Sequence, residues 1–177
     1  MEKPAGIRTL TDSIRNDSEW FWHWVEWNQS DESLLPAWFK EASPEDLKTF
    51  WRVYFHEVLA ALVLNEGDLM PHVTEAEWIE ADWSDFSNWV IVQGKELWSR
   101  MKAECDSLRK DPNSYDIRNI TSLRNVFVAT QNPEVKQGKK EWLGISWVPR
   151  LGYFPGDMAD YMYEDRFGLT LWEQTSS

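Results

Sequence analysis

The stretch from Asp82 to Leu108, DWSDFSNWVIVQGKELWSRMKAECDSL, decides how the rest of the chain is read. Phe86, Trp89, Val90, Gln93, Leu97, Met101, Cys105 and Leu108 recur at intervals of one, three and four, the spacing of one helical face over about six turns. Ser84 is placed to cap that helix, with Asp85 in the first turn, where a negative charge complements the helix dipole. Ile91 and Val92 fall on other faces, so the first half is apolar nearly all round and belongs at the centre of the fold. Gln93 and Gly94 interrupt it. A glycine inside a helix costs about 1 kcal/mol against alanine, which predicts the close approach of another element at Gly94.

Upstream, the lead-in of residues 1–16 carries Pro4 and Gly6. Asp17 or Ser18 then caps a helix, EWFWHWVEWNQ, with Trp20, Trp24 and Trp27 on one face. A short helix follows around LLPAWFKEA. Ser43-Pro44-Glu45-Asp46 is a helix start, with Ser at the N-cap, Pro at the first helical position and acids in the first turn. The helix it opens carries Leu47, Phe50, Trp51, Tyr54, Val58, Ala61 and Leu62 on one face, and Gly67 is its natural stop. Thr74 to Glu77 reads as a capping box in the acidic connection of residues 65–85.

Downstream, Asp111-Pro112 breaks the helix. Residues 124–130 and 141–148 are rich in strand formers and could pair as a hairpin, although short apolar runs suit a helix as well. The closing helix, DMADYMYEDRF, sets Met158, Tyr161 and Met162 within reach of one another and ends at Gly168. The sum is a mainly α fold over residues 1–177 as one domain, with a helical core at 17–110 and an irregular segment at 111–177. A small hairpin in the last third makes α+β the alternative.

The 13 tryptophans are far above ordinary usage and supply large apolar surfaces to a core. No apolar run approaches the length of a membrane span, and MEKPAGIRTLTDSIRNDSE lacks the apolar region of a secretory signal. One cysteine, Cys105, excludes an internal disulfide and multi-cysteine metal centres, and on its helix face it reads as a small buried hydrophobe. A reduced, cytoplasmic setting is the expectation.

The net charge of −12 is uneven. Residues 1–94 carry 18 acidic and 6 basic side chains, whereas residues 95–150 carry 7 acidic and 11 basic. Between Arg52 and Lys95 there are eight carboxylates and no Lys or Arg. Such a field disfavours nucleic-acid backbones and favours a basic protein partner. The bland reading of the same run is a solubilising surface.

Chemical motifs are missing where an enzyme would carry them. There is no GxSxG, no GxxxxGK[ST], no GxGxxG and no spaced Cys/His set. His56, His72 and a Glu make at most a loose two-His, one-carboxylate combination, so no metal and no cofactor is expected. Glu77/Glu80 and Asp82/Asp85 would need desolvation to do acid–base work. The chain leans away from an enzyme.

Asp82-Trp83-Ser84-Asp85-Phe86-Ser87-Asn88-Trp89-Val90-Ile91-Val92-Gln93-Gly94 is similar to the DxFxxFxxWLIxQG motif of a bacterial helical family of uncharacterised function. Phe21-Trp22 near the start and Tyr163-Glu164-Asp165-Arg166-Phe167-Gly168 near the end extend the resemblance. Val90 departs from the family's Leu, and residues 122–154 are longer and richer in Trp. The resemblance implies a compact helical cytoplasmic domain and brings no catalytic residues.

The functional expectation is an acidic, non-enzymatic binding protein of the inhibitor or immunity type, masking a basic toxin, nuclease or nucleic-acid-binding protein. Its contact residues would be Glu75, Glu77, Trp78, Glu80, Asp82, Trp83 and Asp85, aromatic anchors within a charged rim. The alternative is an enzyme or small-ligand binder with a Trp-lined pocket holding carboxylates. Neither direct nucleic-acid binding nor a membrane is expected, and oligomeric state is left open.

Overall fold

Four tryptophans in the eight residues from Trp20 to Trp27 set the character of the first half of the chain. In the computed structural model, which describes residues 2–6, 16–31, 33–69, 71–72, 80–131 and 154–175, the fold is mainly helical, and no strand occurs among the described residues. Two compact units emerge: residues 1–58 with 149–177, and residues 59–148.

In the first unit, α1 spans Asp17–Asn28. Its cap is Asn16, one residue before Asp17 and two before Ser18, with the side chain accepting the Glu19 N–H at 3.0 Å. Asn caps as well as Asp, and this choice leaves Asp17 in the first turn, where the helix dipole favours it. Trp20, Phe21, Trp22 and Trp24 are buried. Trp24 stacks on Trp38 of α2 (Leu34–Glu41) at 3.7 Å, and Phe21 meets Phe50 at 4.8 Å. A buried indole removes roughly 200 Å² from water, worth about 5 kcal/mol of transfer free energy. Asn28 is buried among these rings because its Oδ1 accepts the Leu35 N–H at 2.8 Å, satisfying one of the orphan donors at the start of α2.

Helix α3 (Pro44–Arg52) starts as its sequence predicts, with Ser43 and Asp46 in a reciprocal capping box and Pro44 in the first turn. It then widens into a π-helical stretch, Val53–Leu59, and tightens into a 3₁₀ turn, Ala60–Leu62. Tyr54 and Val58 of the widened stretch and Leu62 of the 3₁₀ turn are all buried. The helix ends at Leu62, short of Gly67. Asn65 and Asp68 exchange side-chain-to-backbone bonds of 2.9 and 3.2 Å, which starts a separate short helix, α4 (Glu66–Leu69), with Gly67 inside it.

In the second unit the expected long helix is two: α5 (Glu80–Val92) and α6 (Lys95–Lys110). Ser84 lies within α5 rather than capping it. Gly94 is the break, at φ 104° and ψ 173°, a backbone region that belongs almost only to glycine. The glycine therefore stands between two helices, as the N-cap of α6, and not inside one. Phe86, Trp89 and Val90 before the break and Met101, Cys105 and Leu108 after it are all buried.

Residues 124–130 are part of helix α7 (Arg118–Gln131), not a hairpin strand. Ile120 and Phe127, seven apart and both buried, make one helical face, and Phe127 packs on Phe86 and Trp89 at 5.9 and 5.7 Å. That packing overrides the strand preference of Val126 and Val128. The second expected arm, 141–148, lies outside the described residues.

Back in the first unit, α8 (Pro155–Phe167) ends at Gly168 in the left-handed conformation, as its sequence predicts, and α9 spans Leu171–Thr175. The face α8 buries is Pro155, Gly156, Ala159 and Tyr163. Met158, Tyr161 and Met162 lie one turn apart on α8, with Tyr161 57% exposed and both methionines half-buried.

Candidate functional site

The carboxylate-rich connector is the place to begin. Glu75, Glu77 and Trp78 lie outside the described residues, as does the Thr74–Glu77 capping box. Glu80 and Asp82 are helical residues of α5. Asp85 is half-buried.

Trp83 is placed inside. It is 7% exposed, its ring meets Phe86 at 5.5 Å, and its indole N–H donates to the Leu62 carbonyl at 3.0 Å. This bond satisfies an orphan carbonyl at the end of the 3₁₀ turn and fixes α5 to it. Arg109 of α6 completes the same task, donating to the Ala61 and Val63 carbonyls at 2.8 and 2.7 Å. Cys105 Sγ lies 3.9 Å from the Leu62 carbonyl, and burial pushes its thiol up to about 12. A thiol so protonated is no nucleophile at neutral pH.

Two other groupings look chemical in a list of residues and structural in three dimensions. The Tyr115 hydroxyl donates to Glu104, whose second oxygen accepts from Asn119 Nδ2 at 3.0 Å, joining α6 to α7. Burial raises Tyr115 well above the ordinary tyrosine range and the bond to Glu104 adds to this, so the hydroxyl stays a donor. Tyr54 is fully buried and raised for the same first reason, with Asp157 as the second cause. Of the histidines, His56 rests edge-on against Trp51 at 5.3 Å and His72 against Tyr115 at 6.1 Å. Among the described residues no three His, Cys, Asp or Glu side chains come together in a metal-holding group.

Among the described residues of the first unit most cations are engaged. Lys3 pairs with Glu41 at 2.9 Å, Arg52 pairs with both Asp17 and Glu57, and Lys48 sits over the Tyr163 ring at 5.4 Å. Arg166 donates to the Phe39 and Ala42 carbonyls at the end of α2, at 2.9 and 2.7 Å. Trp20, Trp24 and Trp38 pack against one another.

Sequence reasoning passed over the exposed apolar side chains at the C-terminal end, Tyr161, Phe167, Leu169 and Trp172. An aromatic at helical spacing reads as core unless the burial of its own turn is known, so only the alternation with carboxylates could have marked them. No helix among the described residues is long and apolar enough to cross a membrane. No family model, curated protein or solved structure matches the chain.

Proposed function

We propose that this chain is an acidic binding protein, cytoplasmic and non-enzymatic, that covers a basic surface on a toxin, nuclease or other nucleic-acid-binding protein. The observation that carries the reading is the run between Arg52 and Lys95, with eight carboxylates and no Lys or Arg. A field of that sign speeds encounter with a basic protein and repels a phosphate backbone.

Glu75, Glu77, Glu80 and Asp82 are the carboxylates assigned to the contact, with Trp78 as the aromatic within them; Trp83 anchors α5 instead. Affinity capture with the full chain should retain a partner of high isoelectric point. Replacing Glu77, Glu80 and Asp82 by Lys should slow its association and flatten the salt dependence, since rim charges act mainly on the on-rate. A captured partner that is acidic, or an unchanged association rate at low salt, defeats the reading.

A further inference from the structure

The outward face of α8 is built differently from its inner one. Around Tyr161 stand Asp157, Glu164 and Asp165, at i−4, i+3 and i+4, and all four residues are exposed. The helix α9 is folded back beside α8: Asp160 Oδ1 accepts the Leu171 N–H at 2.6 Å, and Gln174 Nε2 donates to the Tyr163 hydroxyl at 3.1 Å. Thr170 and Glu173 cap α9 reciprocally at 3.2 Å. Trp172 is held edge-on against Trp51 at 4.7 Å and packs on Phe55 at 4.9 Å, yet 47% of it is exposed. An aromatic fixed on one side and open on the other loses little entropy when a partner covers it.

From Asp157 to Glu173 the exposed residues are four carboxylates, four large apolar side chains and Gly168. Arg166, the one basic residue in that stretch, is half-buried with its guanidinium on the α2 carbonyls. A second copy would oppose carboxylate to carboxylate here, and a nucleic acid or an anionic lipid surface would be repelled. A cationic partner with apolar side chains among its charges fits both features at once.

We propose that the α8–α9 surface docks a basic amphipathic segment of another protein, with apolar side chains on the exposed Tyr161 and Trp172 and Lys or Arg among the carboxylates next to them in each helix. This rests on the reading of the chain as a binder of basic proteins and gives that binding a contact surface separate from the connector.

The test is to titrate the full chain with a synthetic peptide of Leu and Lys at helical spacing, about five turns long, and with its Leu/Glu counterpart. The Leu/Lys peptide should bind, more weakly as salt rises, and the Leu/Glu peptide should not. Tyr161→Ala with Leu169→Ser should weaken binding at least tenfold at every salt concentration. Glu164→Lys with Asp165→Lys should weaken it at low salt and approach the parent at high salt. Hydrogen exchange on the parent, which needs no variant to fold, should show protection over residues 157–173. If both pairs of substitutions leave binding unchanged while Glu75→Lys, Glu77→Lys and Glu80→Lys together abolish it, the surface is misassigned and the binding reading stands. If the parent binds neither peptide, or both equally, the two fall together.

Discussion

An arginine closes one helix end in each unit, and the two reach across very different lengths of chain. In the second unit Arg109 caps Ala61 and Val63, separated from it by 48 and 46 residues. In the first, Arg166 caps Phe39 and Ala42 from 127 and 124 residues away. The guanidinium suits both places because its fork of donors can meet two carbonyls at once and its charge opposes the negative end of the helix dipole. The second unit is one continuous segment, whereas the first is completed by α8 and α9 from the far end of the chain. The aromatic core laid down by α1, α2 and α3 thus depends on a late element to cover Tyr54 and to satisfy the end of α2.

That dependence can be broken at Gly156. A Cβ there would stand 2.3 Å from Tyr54 Cδ1 and 2.8 Å from Phe55 Cε2, and Tyr54 is fully buried with no room to yield. Gly156→Ala should therefore cost about 3 kcal/mol or more through overpacking, read by chemical denaturation. Gly168→Ala is the control on the same helix. Its Cβ meets nothing within 4 Å, and only the left-handed conformation at φ +75° opposes it, about 1 kcal/mol. Equal losses for the two would mean that α8 does not seat on Tyr54.

The arginine caps come next in size. Arg166→Ala leaves two carbonyls of α2 unmet and Arg109→Ala does the same at the end of the 3₁₀ turn, each expected to cost about 2 kcal/mol. Hydrogen exchange separates them. Arg166→Ala should raise exchange in α2 and α8, and Arg109→Ala should raise it in residues 59–63 and α6. If either variant loosens both sets equally, the division into two units is wrong.

Much of the helical content was legible because its signals are local. Ser43, Pro44 and Asp46 name their own helix start, and Gly168 names an end. The break at Gly94 was hidden because the apolar spacing continues across it, so the pattern recorded which side is buried and not whether the axis is continuous. Helix α7 was ambiguous for the opposite reason: Val126 and Val128 favour strands, and only the burial of Ile120 and Phe127 decides. The candidate contacts were least legible of all. Trp78 and Trp83 look alike in sequence, but the Leu62 carbonyl that holds Trp83 lies 21 residues away. No periodicity reveals that bond.

The smallest expected effect sharpens what Arg109 does. Besides its carbonyls, it lies 3.0 Å from Asp106, which also meets Lys102 at 2.6 Å. Asp106 is half exposed, so these pairs are screened by water and salt. Asp106→Asn should cost no more than about 0.5 kcal/mol at neutral pH, a fraction of the loss for Arg109→Ala. The hydrogen bond from Lys102, with further help from the Lys102 and Arg109 charges, holds the Asp106 carboxyl below the usual carboxylate range. A lowered folded-state pKa contributes stability above the unfolded value, and that stability is lost as pH falls through the folded one. The difference between parent and Asp106→Asn should therefore persist from neutral pH down to the ordinary carboxylate range and disappear below it, and high salt should shrink it throughout. A loss as large as that of Arg109→Ala would show that the ion pair, and not the capping of Ala61 and Val63, is what holds α6 to the end of the 3₁₀ turn.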